Sequence, residues 1–436
     1  MLLIPAAFAD DPYWRVRGRL YDEFLVPGDD VGAMIPATRR VDDTESMKWA
    51  DATIQLGWLV GALALEQALL ADPRVLPAYA EGHSADDAAA DLALALQAVD
   101  RLDDHDPSGF PDCKGPWGLD GFFVRDDVPD EIVADFPGIS TIESDWIDPT
   151  VTNKEESQDQ VIHLLVGLGL VAKWTDPDLE VDGVNLRDQA IAATSRIAGI
   201  VAADGEWVIR NPGCGNRDVD RGSTAQFYST PFAAVFTAIT GSSPAEGLFA
   251  EAWEKSAATD FVGWENHNNL HMAMALAAVG DAWGDDTYAD LTTLAGVHQW
   301  WAYPALHAAL WGLPDADDAD ALDAALEAQL DELGDGEPAS PYPYGPSANG
   351  WTTWHRYIVD SAGDYTGEEG STGHRYPGVD YLLARNLHAV LFEAEWPEPQ
   401  GPEPAAEECG CGTGISPSLL AVALAVTGLR RRVPRR

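Results

Sequence analysis

Along most of the chain, apolar residues recur every three to four positions rather than every second one, which is the spacing of helices and not of strands. The clearest stretches cover 44–71, 84–102, 157–174, 185–203, 224–240, 246–259, 267–283, 286–301, 303–312, 316–333 and 377–393. They predict an all-α protein. The stretches differ in kind. Those beginning near 44, 157, 224, 267, 303 and 377 are rich in Gly, Ala and aromatic residues with few charges, as helices covered on all sides must be. Others, such as SADDAAADLALALQAVDRL and ADDADALDAALEAQLDEL, keep one charged face and belong to an outer layer.

Six buried helices alternating with amphipathic ones predict an (α/α)6 toroid, an inner ring of helices inside an outer one, spanning 10–396 as a single domain. The links from inner to outer helices are short. Those from outer to inner helices include 103–156, 204–223 and 334–376, and loops beyond about 15 residues are usually functional or disordered. In a toroid these long links share the face that holds the N-termini of the inner helices. Cys113 and Cys214 both fall in them, in FPDCKGPWG and RNPGCGNRD, so the topology lets them approach within the roughly 4.4–6.8 Å Cα separation of a disulfide. Free thiols are the alternative.

Charge narrows the partners. The chain carries 26 Lys plus Arg against 72 Asp plus Glu, a formal net charge of −46. Nucleic acid is thereby excluded as an expected partner, since phosphate contacts need clustered cations. Residues 1–9 hold Ala7-Phe8-Ala9 in the A-x-A form of a signal-peptide remnant. From 397 to 408 the chain is a Pro- and Glu-rich linker. Beyond it, 409–436 carries Cys409-Gly410-Cys411, an apolar run from Ile415 to Leu429, and Arg430, Arg431, Arg432, Arg435 and Arg436. This tail resembles the MYXO-CTERM sorting signal, which implies export, processing near the cysteines and display at the cell surface or outer membrane, or secretion. The membrane is then met only through that tail. Without both ends the domain holds 21 basic and 72 acidic side chains.

The start of the third stretch raises the question of chemistry. In NKEESQDQVIHLLVGLGLVAKW a polar knot runs straight into an apolar helix. Ser157 and Gln160 fit the S-x-x-Q capping box, and Glu155, Glu156 and Asp159 place negative charge at the positive end of the helix dipole. Capping alone accounts for such a knot. The toroid also places it on the rim of a central funnel, with Asp51, Gln55 and Trp58 at helical spacing on another inner helix and Glu265, His267 and His271 at the start of a third.

SQDQVIHLLVGLGLVAKW and YPGVDYLLARNLHAVL resemble inner helices of the (α/α)6 glycoside hydrolases and related carbohydrate-active enzymes. That resemblance is at the level of fold and transfers no catalytic assignment. It implies a glycan substrate or ligand and no cofactor. Glycosidic cleavage needs two carboxyl groups, one to protonate the leaving oxygen and one to activate water or attack carbon. Asp159, Asp51, Glu156 and Glu265 are the candidates. Gln55, Trp58, Trp117, Trp146, Gln158, Gln160, His267, His271, Trp351, Trp354 and His355 are the candidate substrate-binding residues, the aromatics as flat platforms for pyranose faces. Some of those rings instead suit loop minicores. The i, i+4 spacing of His267 and His271 lacks an HExxH context or a third ligand for zinc, and DADDAD at 315–320 lacks the spacing of a calcium loop, which leaves calcium a weak expectation. The expected protein is a monomeric, exported glycoside hydrolase for a neutral glycan. A non-catalytic glycan-binding or structural protein on the same scaffold is the alternative.

Overall fold

The computed structural model describes residues 12–40, 46–49, 52–72, 80, 82–104, 118–148, 156–202, 209–210, 218–220, 224–242, 267–282, 284–298, 301–334, 358–359, 365–366, 374–375 and 377–394. Of these, 68% are helical and 6% are in strands, so the described part of the chain is mostly helical, consistent with an all-α class. They all belong to the unit 1–395.

The helices are α1 (Pro12–Glu23), α2 (Ala52–Ala71), α3 (Ala85–Asp103), α4 (Gln158–Trp174), α5 (Leu186–Ala202), α6 (Thr224–Thr240), α7 (His267–Gly280), α8 (Thr287–His298), α9 (Ala302–Trp311), α10 (Ala316–Gly334) and α11 (Val379–His388). A single π-turn over Ala389–Glu393 extends α11. The division into two kinds of helix holds in the burial of most elements, with α6 the exception: it was expected to be covered on all sides, yet Thr237 and Ala238 are exposed. In α2 every residue from Ala52 to Leu69 is buried, and in α9 every residue from Ala302 to Leu310. By contrast, α3 buries one stripe built on Leu92, Leu96, Val99 and Leu102. By length and composition α2 could cross a membrane, but its sides are taken up by α3, α4 and α11, as in the core of a globular protein.

The buried helices pack on one another in an order that follows the chain: α2 on α4, α4 on α6 and α7, α6 on α7, α7 on α9, α9 on α11, and α11 on α2. The amphipathic helices lie against pairs of these. α5 packs on α4 and α6, α8 on α7 and α9, and α10 on α9 and α11, while α3 covers α2 and α1 rests on α11.

Glycines set the direction of the central pair. A Cβ on Gly57 would meet the backbone of His163 and Leu164, and one on Gly61 would meet Gly167 and Leu170. Contacts that advance together along both chains mean that α2 and α4 run parallel, in backbone contact.

Short strands tie down the segments ahead of the buried helices. β1 (Thr38–Arg40) pairs antiparallel with β2 (Ser46–Lys48), with Arg39 opposite Met47. β2 pairs parallel with β3 (Thr141–Glu143), with Met47 opposite Ile142, and β1 pairs antiparallel with His374–Arg375. The sheet therefore joins the segments leading into α2, α4 and α11. It also corrects the reading of 44–71 as one helix, because residues 46–48 are strand and α2 starts at Ala52. The predicted helix over 246–259 lies outside the described residues.

Candidate functional site

The mouth of α4 is fastened before it offers any chemistry. At its first residue Ser157 and Gln160 form the predicted capping pair, with Gln160 Oε1 accepting from the Ser157 N–H at 3.1 Å. The Ser157 hydroxyl also donates to the Asp159 carboxylate, whose Oδ1 takes the Gln160 N–H at 3.0 Å. Asp159 is half-buried, while Gln158 and Gln160 beside it are buried.

Glu156 turns the other way. It is 1% exposed, and its Oε2 accepts the Phe123 N–H at 2.8 Å while its own N–H donates to the Phe123 carbonyl at 3.1 Å. Burial pushes its carboxyl well above the usual range, and the nearby Asp103 and Asp120 push it further. Asp103 in turn accepts from Asp120 N–H at 3.0 Å and Gly121 N–H at 2.7 Å, and pairs with Arg196 Nε at 2.7 Å. Gly121 is the fulcrum: its φ is +93°, and a Cβ there would lie 2.2 Å from the Arg196 backbone. This arrangement clasps the loop 118–123 onto α3, α4 and α5.

A protonated carboxyl at Glu156 is favoured in the folded state and ionisation in the unfolded one, so its contribution is full below the ordinary carboxylate range and is lost as pH rises through the folded value. Each unit of such displacement corresponds to about 1.4 kcal/mol. Glu156→Gln is therefore expected to unfold at a higher urea concentration than the parent at pH 8, with the gap closing toward pH 4.5. A constant gap across that range would show that Glu156 is not held protonated.

Asp126 shows the same physics in the same link, where burial pushes it up to about 6 although it accepts the Ser144 hydroxyl, Val128 N–H at 3.2 Å and Asp145 N–H at 3.0 Å. Half-buried Trp146 is positioned beside it by its N–H on Ser144 Oγ at 3.2 Å.

One turn inward from Asp159, on the same face of α4, sits His163. Trp58 reaches over from α2 and donates its indole N–H to His163 Nδ1 at 3.1 Å. The Trp58 ring also meets Tyr303 of α9 edge-on, with centroids 5.9 Å apart at 80°. Trp58, His163 and Tyr303 all come from the N-terminal halves of their helices, so α2, α4 and α9 converge at that end. The cluster is buried: Trp58 is 1% exposed and His163 and Tyr303 not at all. Desolvation lowers His163 to about 4, against the pull of the Asp159 charge. Gln55, one turn nearer the start of α2 than Trp58, is buried with its Oε1 unpartnered.

The structure thus brings Gln55, Trp58, Gln158, Asp159 and Gln160 to one end of α2 and α4, sets Glu156 behind a loop, and places Trp146 in the preceding link. His163 was not singled out from the sequence, although its place four residues after Asp159 in an otherwise apolar helix was the available signal. Asp51, Glu265, Trp117, Trp351, Trp354, His355, Cys113 and Cys214 lie outside the described residues, as do the side chains of His267 and His271. Among the described residues no group of three or more His, Cys, Asp or Glu side chains is placed to hold a metal ion. No family model, curated protein or solved structure matches the chain.

Proposed function

We propose that the chain is an exported carbohydrate-active enzyme, a glycoside hydrolase for a neutral glycan, working as a monomer without a cofactor on an (α/α)6 toroid. The packing order α2, α4, α6, α7, α9, α11 and back to α2 supports the toroid, as does the parallel course of α2 and α4. The observation that carries the functional reading is the meeting of Trp58, His163 and Tyr303 from three helices one turn beneath the half-buried carboxylate of Asp159. Aromatic and amide side chains beneath a half-buried carboxylate suit a sugar ring held for acid–base attack. Asp159 is the acid or base. Asp51, adjoining α2 in sequence, and Glu265, just ahead of α7, are the partner carboxylates to test.

Release of reducing ends from a panel of neutral glycans is the experiment. Asp159→Asn is expected to lower the rate by about 10²–10⁴-fold, the range of general acid–base catalysis, with little change in binding. An active parent whose rate survives the substitution removes Asp159 from the chemistry.

A second reading, a non-catalytic glycan-binding protein, is favoured by one feature: Asp159 is already engaged by the Ser157 hydroxyl inside a capping box. It predicts binding without reducing-end release, and a stability loss rather than a rate loss on Asp159→Asn.

A further inference from the structure

We propose that His163 is a fixed, uncharged hydrogen-bond donor at the inner end of the α4 mouth, where its Nε2–H takes a hydroxyl of a neutral glycan. This rests on the carbohydrate reading above and deepens it.

The tautomer follows from the Trp58 contact. An indole N–H can only donate, so His163 Nδ1, 3.1 Å away, must accept. The single proton of a neutral imidazole then sits on Nε2. Protonating Nδ1 as well would set N–H against N–H, and burial already holds the ring neutral down to about pH 4.

That Nε2–H is buried and has no partner, and neither has Gln55 Oε1. Side chains on a helix lean toward its N-terminus, so His163 leans toward the turn of Asp159. Gln55, in the first turn of the parallel α2, leans toward the same end. One donor and one acceptor, both uncharged, match a hydroxyl, which can give and take a hydrogen bond at once. A carboxylate entering there would meet Asp159 and no opposite charge from these residues.

The test uses the full chain and its His163→Phe and His163→Gln variants. Titration calorimetry is run with maltohexaose, cellohexaose, mannohexaose, xylohexaose and, as a charged probe, hexagalacturonate. The parent is expected to bind one of the neutral hexasaccharides and not the galacturonate. His163→Phe is expected to bind it about tenfold more weakly, as loss of one buried hydrogen bond implies, and His163→Gln, which keeps an N–H donor, to recover part of the loss. In 15N-resolved spectra of the parent, the His163 Nε2–H is expected to be present at neutral pH and to shift on saturation.

A neutral hexasaccharide that binds parent and both variants equally overturns the role of His163 and leaves the carbohydrate reading standing. Failure of every neutral hexasaccharide to bind the parent overturns both. Should His163→Phe not fold, the spectra of the parent decide: an Nε2–H that is unmoved by saturating ligand, or that contacts only water in both states, sinks the proposal.

Discussion

Gly167→Ala is expected to destabilise the protein by about 3 kcal/mol, the upper end of ordinary overpacking costs. A Cβ on Gly167 would lie 2.1 Å from the Gly57 carbonyl oxygen, and one on Gly57 would lie 2.4 Å from that of His163. Real Cβ atoms do not approach so closely, and the obstruction on both sides is backbone rather than a side chain that can swing away. The helices would have to separate, yet α2 is hemmed in by α3 and α11 and α4 by α5 and α7. Separation would also pull the Trp58 indole off His163. Gly199 supplies the control, because it is an exposed glycine in α5 with nothing within 4 Å of the added methyl. Gly199→Ala is expected to be stabilising, by up to about 1 kcal/mol, from helix propensity alone. Urea midpoints that move in opposite directions bear out the close crossing; Gly167→Ala unfolding with the parent would disprove it.

Glu66→Ala is expected to cost about 3 kcal/mol through a different mechanism. Its carboxylate receives Arg17 Nε at 3.0 Å, Arg17 Nη2 at 3.4 Å and the Tyr13 hydroxyl, and the Arg17 and Glu66 side chains are only 8% and 3% exposed. Taking away one member of a buried pair leaves the other charged and dry, at about 3–5 kcal/mol. The lower end applies here because Asp91 still holds Arg17 Nη2 at 2.6 Å and the guanidinium lies 3.9 Å from the Tyr21 ring centroid. The double variant Arg17→Met/Glu66→Leu removes both charges and fills the space, and is expected to recover most of the loss. If the double variant is as unstable as the sum of its single changes, the two residues are not acting as a pair.

The long helices are legible in the sequence because burial is written into their composition. The predicted 224–240 matches Thr224–Thr240, and the predicted 157–174 begins one residue before Gln158 and ends with it at Trp174. What escapes is whatever depends on distant partners. Ser46–Lys48 joins a sheet whose other strands come from 38–40, 141–143 and 374–375, and three residues carry too little periodicity to announce a strand. α1 hides for a related reason. Arg17 and Arg19 are 7% exposed each, whereas arginines in a sequence read as surface until a Glu66 is found for one of them. At the α4 mouth the capping box was legible from spacing alone, but the inward turn of Glu156 onto Phe123 depends on a loop more than thirty residues earlier and leaves no local mark.

The amide of Asn386 donates both to the Ala62 carbonyl, at 2.9 Å, and to the Tyr13 hydroxyl, at 3.0 Å. These partners are separated in sequence by 324 and 373 residues. During synthesis at about 5–20 residues per second, α2 therefore leaves the ribosome roughly a quarter of a minute to a minute before the strand of chain that will cover its α11 side has been made. For that interval a helix buried along almost its whole length has no native wall on one flank. That flank stays uncovered until α11 has been made, so the packing around α2 cannot be completed before residue 386 has emerged.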